Sequence, residues 1–190
     1  MIIIEGADLV GKTTLAHKLC ELLTTPQHTY AHMSRHDPKT WNPYWGYVPH
    51  MQHYSVADRF HLSELAYTVA RNEVLSECAL TPEIYRQLDG RLRGVGAMTV
   101  LLVADPQLIT NRYAARAEQE MYPLNTVLAA NNFFERVMHR KGQSCFGYTC
   151  DIDFCVYLSE LHPYVTDGEI RLLLQGYKRR MDTLAYIEEE

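Results

Sequence analysis

The chain has 190 residues, of which 47% are hydrophobic and 22% charged, and its formal net charge is −5. This length matches one domain, and the composition excludes a disordered or fibrous protein because it supplies enough apolar side chains for a buried core. The negative net charge excludes an overall basic field of the kind that gathers duplex DNA.

The N-terminus carries no sign of a targeting segment or a membrane span. The apolar run 1–4 is followed at once by Glu5 and Asp8, whereas both kinds of segment need a longer apolar stretch. We therefore expect a cytoplasmic protein with no membrane partner. The sequence leaves open whether the chain forms a homodimer.

The apolar pattern predicts strands that alternate with helices. The predicted strands are 1–5, 28–33, 54–57, 98–104 and 153–158. The predicted helices run from Lys12 to near Pro26 and over 61–78, 82–93, 106–116, 124–139 and about 167–188. Short apolar runs are typical of strands covered on both faces, and their alternation with helices is typical of a parallel sheet. The sequence therefore predicts one α/β domain over 1–190, with three layers and a five-stranded parallel sheet flanked by helices.

One predicted connection is unusually long. Residues 34–53 contain three prolines and a glycine, together with four large aromatic residues that argue against disorder, namely Trp41, Tyr44, Trp45 and Tyr47. Long loops inside compact domains tend to be functional, and large rings can stack on a base and exclude water. We expect this loop to shape a substrate pocket.

The five cysteines form no recognisable zinc motif. Cys145, Cys150 and Cys155 are spaced five residues apart, and no CxxC pair occurs. Structural zinc sites usually pair their ligands at closer spacing around a turn. We therefore expect buried or free thiols rather than a zinc centre.

A phosphate-binding loop is the strongest chemical signal. The pattern GxxxxGK(S/T) occurs after the first predicted strand and opens the first predicted helix, the context that this motif needs. The expected nucleotide-binding residues are Gly6, Ala7, Asp8, Leu9, Val10, Gly11, Lys12, Thr13 and Thr14. Backbone N–H groups of such a loop face phosphate oxygens, the lysine adds a charge near the β and γ phosphates, and Thr13 is placed to bind Mg²⁺. The implied cofactors are ATP, or another nucleoside triphosphate, and Mg²⁺.

Other segments select among the proteins that carry such loops. The NKxD motif that a GTPase needs is absent, and although 101–105 reads LLVAD, as in a motor ATPase, the chain is short for a motor. Small-molecule kinases remain. An acidic residue and an arginine, Asp58 and Arg59, end the third predicted strand, where parallel sheets bind their ligands.

Three segments together resemble the thymidylate kinase family. They are EGADLVGKTT at 5–14, DRFHLSELAY at 58–67, and a stretch over 112–137 that contains RYAARAEQE and NNFFERV. Their order and spacing match the family over roughly the first 140 residues, and deoxynucleoside kinases share the DR pair and the lid arginines. The resemblance is to a divergent, phage-type member.

The resemblance implies roles for individual residues. Asp8 is expected to contact the sugar of the acceptor, Arg59 to grip the acceptor phosphate or the transferring phosphoryl group, and Asp58 to help hold Mg²⁺ or its water. After the second strand the family has an arginine that reads phosphate, and Arg35 is the candidate here. Val10 departs from the family, which has a small residue next to the second glycine, and so does the aromatic loop 34–53.

Two helical pairs complete the expected site. Arg112 and Arg116 are four residues apart, so both guanidinium groups project from one helix face and can clamp a polyphosphate as part of a lid over about 112–123. Tyr67 and Arg71 have the same spacing, which suits stacking on a base and binding a phosphate, although packing in the core is the rival explanation for Tyr67.

The leading hypothesis is a kinase that moves the γ-phosphate of ATP to a deoxynucleoside monophosphate with a pyrimidine base. The first alternative changes the acceptor to a deoxynucleoside 5′-hydroxyl or to a 5-hydroxymethyl pyrimidine in phage DNA. A basic groove for that DNA could form from Arg35, Lys39, Arg136, Arg140 and Lys141. The second alternative is a catalytically inactive regulatory module that binds nucleotides, which has no need of lid arginines.

Overall fold

The computed structural model describes residues 1–23, 29–32, 54–72, 80–116, 122–140, 144–145, 148–149 and 151–188. Its strands are β1 (Ile2–Gly6), β2 (Thr29–His32), β3 (Tyr54–Asp58), β4 (Met98–Ala104), β5 (Ser144–Cys145), β6 (Tyr148–Thr149) and β7 (Phe154–Leu158). Its helices are α1 (Lys12–Leu22), α2 (His61–Ala70), α3 (Pro82–Gly94), α4 (Pro106–Ala115), α5 (Leu124–His139) and α6 (Asp167–Glu188).

Five parallel strands form the central sheet in the order β2-β3-β1-β4-β7. Every residue of β1 and β4 is buried, because α1 packs on β1, β2 and β3 while α5 packs on β1 and β4. Strands covered in this way read as continuous apolar runs. The predicted α/β fold, with five parallel strands flanked by helices, is confirmed.

The strand order places the loops after β1 and β3 beside each other. Strand β3 lies on one side of β1 and β4 lies on the other, so the chain changes direction across the sheet at β1. Because all five strands are parallel, their carboxyl ends share one edge. Ligands of open α/β sheets bind at this edge, where the strand order reverses.

The prediction of a helix over 61–78 is wrong in its length, because α2 ends at Ala70. Asn72 adopts the left-handed conformation, with φ at 55°, and the N–H groups of Arg71 and Asn72 close the last turn on Tyr67 and Val69. A left-handed residue ends a helix, and the apolar spacing of the sequence does not reveal it. The short antiparallel pair β5–β6 was not predicted either. The aromatic loop 34–53 lies outside the described residues.

Cys20 and Cys155 are free thiols, each half-buried. The other cysteine side chains lie outside the part of the chain that the structure describes. Within that part, no helix is both long and apolar enough to cross a membrane.

The N-terminus of α6 is closed by a reciprocal pair of contacts between Thr166 and Glu169. The Thr166 hydroxyl accepts from the Glu169 N–H at 3.3 Å, and Glu169 Oε2 accepts from the Thr166 N–H at 2.8 Å. His162 Nε2 lies 3.2 Å from the same carboxylate oxygen. This arrangement is a capping box. It also anchors one end of the segment 159–166, which reaches the functional site.

Removing this cap is expected to destabilise the protein in a pH-dependent way. Partial burial raises the pKa of Glu169, but the hydrogen bonds from Thr166 and the neighbouring His162 outweigh burial and lower that pKa. A carboxylate with a lowered pKa stabilises the fold above its unfolded pKa, and this stabilisation is lost as the pH falls through the folded value. Glu169→Ala should therefore lower the free energy of unfolding by about 1 kcal/mol at pH 7.

The measurement is urea unfolding at several pH values. The difference between Glu169→Ala and wild type should shrink below pH 4.5, the ordinary glutamate pKa. Glu21→Ala, on the exposed face of α1, is the control and should match wild type. If the free energies of unfolding of Glu169→Ala and wild type still differ by the same amount at about pH 3, the role given to the ionised carboxylate is contradicted.

Candidate functional site

The loop between β1 and α1 requires glycine at both ends of its motif. At Gly6 the φ angle is 151°, and an added Cβ would stand 2.5 Å from the carbonyl oxygen of Leu102. Gly11 precedes α1 in the left-handed conformation, with φ at 91°. Other residues adopt such angles only with strain. The loop therefore turns at the carboxyl end of β1 and leads directly into the N-terminus of α1.

Lys12 is buried within this loop and only 5% exposed. Its ammonium group donates to the carbonyl oxygen of Ala7 and lies 4.0 Å from Asp8 Oδ1. Thr13 and Thr14 are exposed in the first turn of α1. A positive charge next to the N–H groups of a helix N-terminus makes a site for anions.

The Asp58 carboxylate joins β3 to the phosphate loop. Asp58 is fully buried, and its Oδ2 accepts from the hydroxyl groups of Thr13 at 2.6 Å and Tyr30 at 3.0 Å. His32 Nδ1 lies 3.4 Å from the same oxygen. Tyr30 and His32, both on β2, were not among the predicted site residues. Burial and the neighbouring Asp58 raise the pKa of Tyr30 to about 12, so its hydroxyl stays protonated and donates.

The oxygen atoms at this position fit a magnesium ion. Asp58 Oδ1 is buried and has no hydrogen-bond partner within the described residues, and the Thr13 hydroxyl lies beside the same carboxylate. No group of three or more His, Cys, Asp or Glu side chains that could hold a metal occurs in those residues. Mg²⁺ suits such a sparse site, because it takes one or two protein oxygens and completes its shell with water and phosphate oxygens.

Arg59 and Asp8 form an ion pair across the loop. Arg59 Nη2 contacts Asp8 Oδ1, while the Arg59 backbone takes a left-handed φ of 67° and donates its N–H to Ile4 at 2.9 Å. The Arg59 guanidinium also lies over the Tyr67 ring, 5.4 Å from its centre. Non-glycine residues in this conformation cluster at functional sites.

The Tyr67 hydroxyl forms a hydrogen bond with the backbone of the phosphate loop. It accepts the backbone N–H of Asp8 at 2.8 Å, and the buried ring stacks on Tyr122 with centres 4.8 Å apart. Arg71 Nη1 lies 3.5 Å from the Tyr122 hydroxyl. These contacts of Tyr67 lie within the protein, which is the arrangement that the core-packing explanation describes. The roles of Tyr67 and Arg71 toward a base or phosphate stay predictions.

Arg112 and Arg116 lie at the end of α4, where the sequence predicts a lid. Arg112 Nη1 donates to the carbonyl oxygen of Leu9 at 2.6 Å, and Nη2 donates to the carbonyl oxygen of Pro163. Partial burial lowers the pKa of Arg112. Arg116 follows α4 and is exposed. Most of the lid beyond it, residues 117–121, is outside the described chain.

These groups face one open cleft of about 570 Å³. Its walls combine the phosphate loop, the ends of β2 and β3, the end of α4 and the segment 159–166. The lining residues are Asp8, Leu9, Gly11, Lys12, Thr13, Thr14, His32, Asp58, Arg59, Arg112, Ala115, Arg116 and Tyr164. The sequence motifs, which are separated by up to a hundred residues, therefore meet in one cavity.

The basic groove considered for the alternative DNA substrate lies only partly within the described residues. Arg136 lines a separate groove of about 390 Å³ with α2 residues Val69 and Ala70, and that groove shares no residue with the cleft. Arg140 follows the end of α5. Arg35, Lys39 and Lys141 lie outside the described residues. The basic groove considered for a DNA substrate therefore stays a prediction.

Glu5 is a supporting residue that the sequence analysis did not single out. Its carboxylate is fully buried and accepts the backbone N–H groups of Leu62 at 3.0 Å and Ser63 at 3.1 Å, and the Ser63 hydroxyl as well. Burial raises the pKa of Glu5, against the opposing effect of these hydrogen bonds and nearby His61. Glu5 thus caps α2, the helix that carries Tyr67. The role of Glu5 could have been predicted from one feature of the sequence, an acidic residue near the end of an otherwise apolar strand.

Removing this cap is expected to be costly. Glu5→Ala leaves the Leu62 and Ser63 N–H groups buried without an acceptor, which should lower the free energy of unfolding by about 3 kcal/mol. Glu83→Ala, at the exposed start of α3, is the matched control, with an expected loss below about 1 kcal/mol. Thermal and urea unfolding measure both. Equal losses in the two variants would contradict the capping role of Glu5.

No family model matches the sequence, and no curated protein matches it. Among solved structures, the chain is similar to a crystal structure of the YorR protein from Bacillus subtilis in complex with phosphorylated GDP. The two share 19% sequence identity with a TM-score of 0.61, over 100% of this chain and 98% of the other. At this identity the likeness concerns the fold, and the described residues have the α/β fold of that neighbour.

Proposed function

We propose that the chain is an ATP-dependent phosphotransferase that moves the γ-phosphate of ATP to a deoxynucleoside monophosphate with a pyrimidine base. One observation carries the proposal: Lys12, the Thr13–Asp58 pair and Arg59 line a single cleft at the carboxyl edge of a parallel sheet. We also propose that residues 1–190 form a single domain.

The side chains of the cleft suit phosphoryl transfer. This reaction gains most from positioning and from charge that stabilises the equatorial phosphoryl oxygens. In the proposal, the phosphate loop binds the β and γ phosphates with Lys12, and Arg59 faces the transferring group. Arg116 approaches from the lid. Asp8 contacts the acceptor sugar and keeps Arg59 oriented through their ion pair.

Mg²⁺ fits next to Thr13 and Asp58, where a buried carboxylate oxygen has no partner among the described residues. When bound, the ion supplies charge that neutralises phosphate oxygens. Tyr30 contributes a hydrogen bond that fixes the orientation of the Asp58 carboxylate.

The fold neighbour supports a nucleotide ligand, since YorR was crystallised with phosphorylated GDP. That ligand carries a guanine base. Pyrimidine preference in this chain rests on its resemblance to thymidylate kinases, so the test must include guanine nucleotides.

A second acceptor class is favoured by the pairing of Arg59 with Asp8. The carboxylate neutralises part of the positive charge that an acceptor phosphate needs. A neutral hydroxyl, such as the 5′-hydroxyl of a deoxynucleoside, needs less charge. We keep a nucleoside kinase as the alternative activity of the same cleft.

The test is a transfer assay with γ-labelled ATP and Mg²⁺. Its acceptors are the deoxynucleosides, their monophosphates, guanosine nucleotides and oligonucleotides with 5-hydroxymethyl pyrimidines. We expect labelled pyrimidine diphosphates to form fastest. Fastest labelling of nucleosides would support the alternative, and labelling of oligonucleotides would support a DNA substrate. Tight ATP binding without transfer to any acceptor would contradict the enzyme and favour the inactive nucleotide-binding module.

A further inference from the structure

Leu9 holds a strained backbone conformation in the middle of the phosphate loop. Its φ angle is 69°, in the left-handed region that leucine avoids. Such a conformation persists only where the surrounding structure enforces it. The preceding residue, Asp8, is fixed by the hydrogen bond from its N–H to Tyr67, and the following residue, Val10, is fully buried.

The carbonyl oxygen of Leu9 is held by Arg112. The 2.6 Å hydrogen bond from Arg112 Nη1 comes from α4, more than a hundred residues along the chain. Its Nη2 donates to the carbonyl oxygen of Pro163, and its Cζ lies 5.5 Å from the centre of the Tyr164 ring. Arg112 is therefore anchored on the segment 159–166 while it grips the loop. Its Nη1 also lies 4.0 Å from the position of a Cβ at Gly11.

We propose that Arg112 is a positioning residue that keeps Leu9 left-handed and so holds the phosphate loop in the shape that receives a nucleotide. The identity of that ligand rests on the proposed function, but the contacts that carry the inference lie within the protein. The two lid arginines then differ in their roles. Arg116 is exposed to the cleft and suited to phosphate, whereas Arg112 acts on the nucleotide through Leu9.

A double-mutant cycle tests this proposal. Binding of a non-hydrolysable ATP analogue with Mg²⁺ is measured by calorimetry for wild type, Arg112→Ala, Leu9→Gly and the double variant. Glycine adopts the left-handed conformation without support. Arg112→Ala should weaken binding at least about tenfold in the wild-type background but less than about threefold in the Leu9→Gly background. An equal loss in both backgrounds would overturn the proposal.

Arg112→Lys separates charge from geometry. Lysine keeps the positive charge, but its single ammonium group cannot hold two carbonyl oxygens as a planar guanidinium does. The lysine variant should bind the analogue as weakly as Arg112→Ala, to within about threefold. Recovery of wild-type affinity would mean that Arg112 acts as a charge on phosphate, and would overturn the positioning role. Arg171→Ala, exposed on α6, is the control for loss of a surface arginine.

Hydrogen exchange of the protein alone distinguishes this inference from the proposed function. Amide protons of residues 8–12 should exchange about tenfold faster in Arg112→Ala than in wild type, and at the wild-type rate in Arg116→Ala. Unchanged exchange in Arg112→Ala would overturn the inference even if ATP binds. A wild-type chain that binds no nucleotide would contradict the proposed function, while the exchange rates would still decide the role of Arg112.

Discussion

Lys12→Ala is expected to abolish nearly all phosphoryl transfer, with a loss of at least about 10³-fold in kcat/KM. The reason is that its ammonium group is a positive charge buried within the phosphate loop, next to Ala7 and Asp8. A charge in a buried position stabilises the transferring group far more than an exposed one. Steady-state kinetics with γ-labelled ATP would measure the loss.

Because Lys12 is buried, a loss of activity in Lys12→Ala must be distinguished from a loss of folding. Circular dichroism and thermal unfolding should show a folded protein, since Asp8 keeps its ion pair with Arg59 when Lys12 is replaced. Lys178→Ala, exposed on α6, is the matched control and should keep wild-type kinetics. A folded Lys12→Ala variant with turnover near that of the control would exclude the phosphate loop from the mechanism.

Arg59→Ala and Arg116→Ala are each expected to reduce kcat by about 10³-fold, with much smaller changes in the KM for ATP. Both guanidinium groups line the cleft, where under the proposed function charge develops on the phosphoryl group during transfer. Lysine should rescue either variant poorly, because a point charge cannot reproduce a planar bidentate contact. Kinetics of the alanine and lysine variants measure this pattern.

Arg116 gives the cleaner measurement of the two. It is exposed, so its removal should change the melting temperature less than Arg59→Ala, which removes an ion-pair partner of the buried Asp8. Arg86→Ala, on the exposed face of α3, should show wild-type kcat and KM. A rise in KM at constant kcat for Arg116→Ala would make it a uniform binding contact and contradict the transition-state role.

The strand, loop and helix at the N-terminus were predictable because every signal in them is local. The apolar run of β1, the glycines at 6 and 11 and the leucine spacing of α1 lie within 23 consecutive residues. Burial of β4 on both faces was predictable for the same reason, since a continuous apolar run is typical of a central parallel strand. These features follow from chain geometry and from the hydrophobic effect acting on neighbouring residues.

Tertiary structure decided which distant groups meet at the site. Asp58 contacts Thr13 and Tyr30 across 45 and 28 residues of chain, and Glu5 caps a helix that begins at His61. No periodicity encodes these pairings, because they depend on the strand order and on which loops share the carboxyl edge of the sheet.

Backbone conformation at single residues was likewise beyond the sequence pattern. Asn72 ends α2 by turning left-handed, and Leu9 is left-handed beside Arg112. The amino-acid sequence by itself determined the α/β alternation and the phosphate-loop motif, which depend on local spacing. Only the folded chain decided the helix end at Ala70 and the partners of Arg112, because long-range hydrogen bonds and packing can outweigh the conformational preference of one residue.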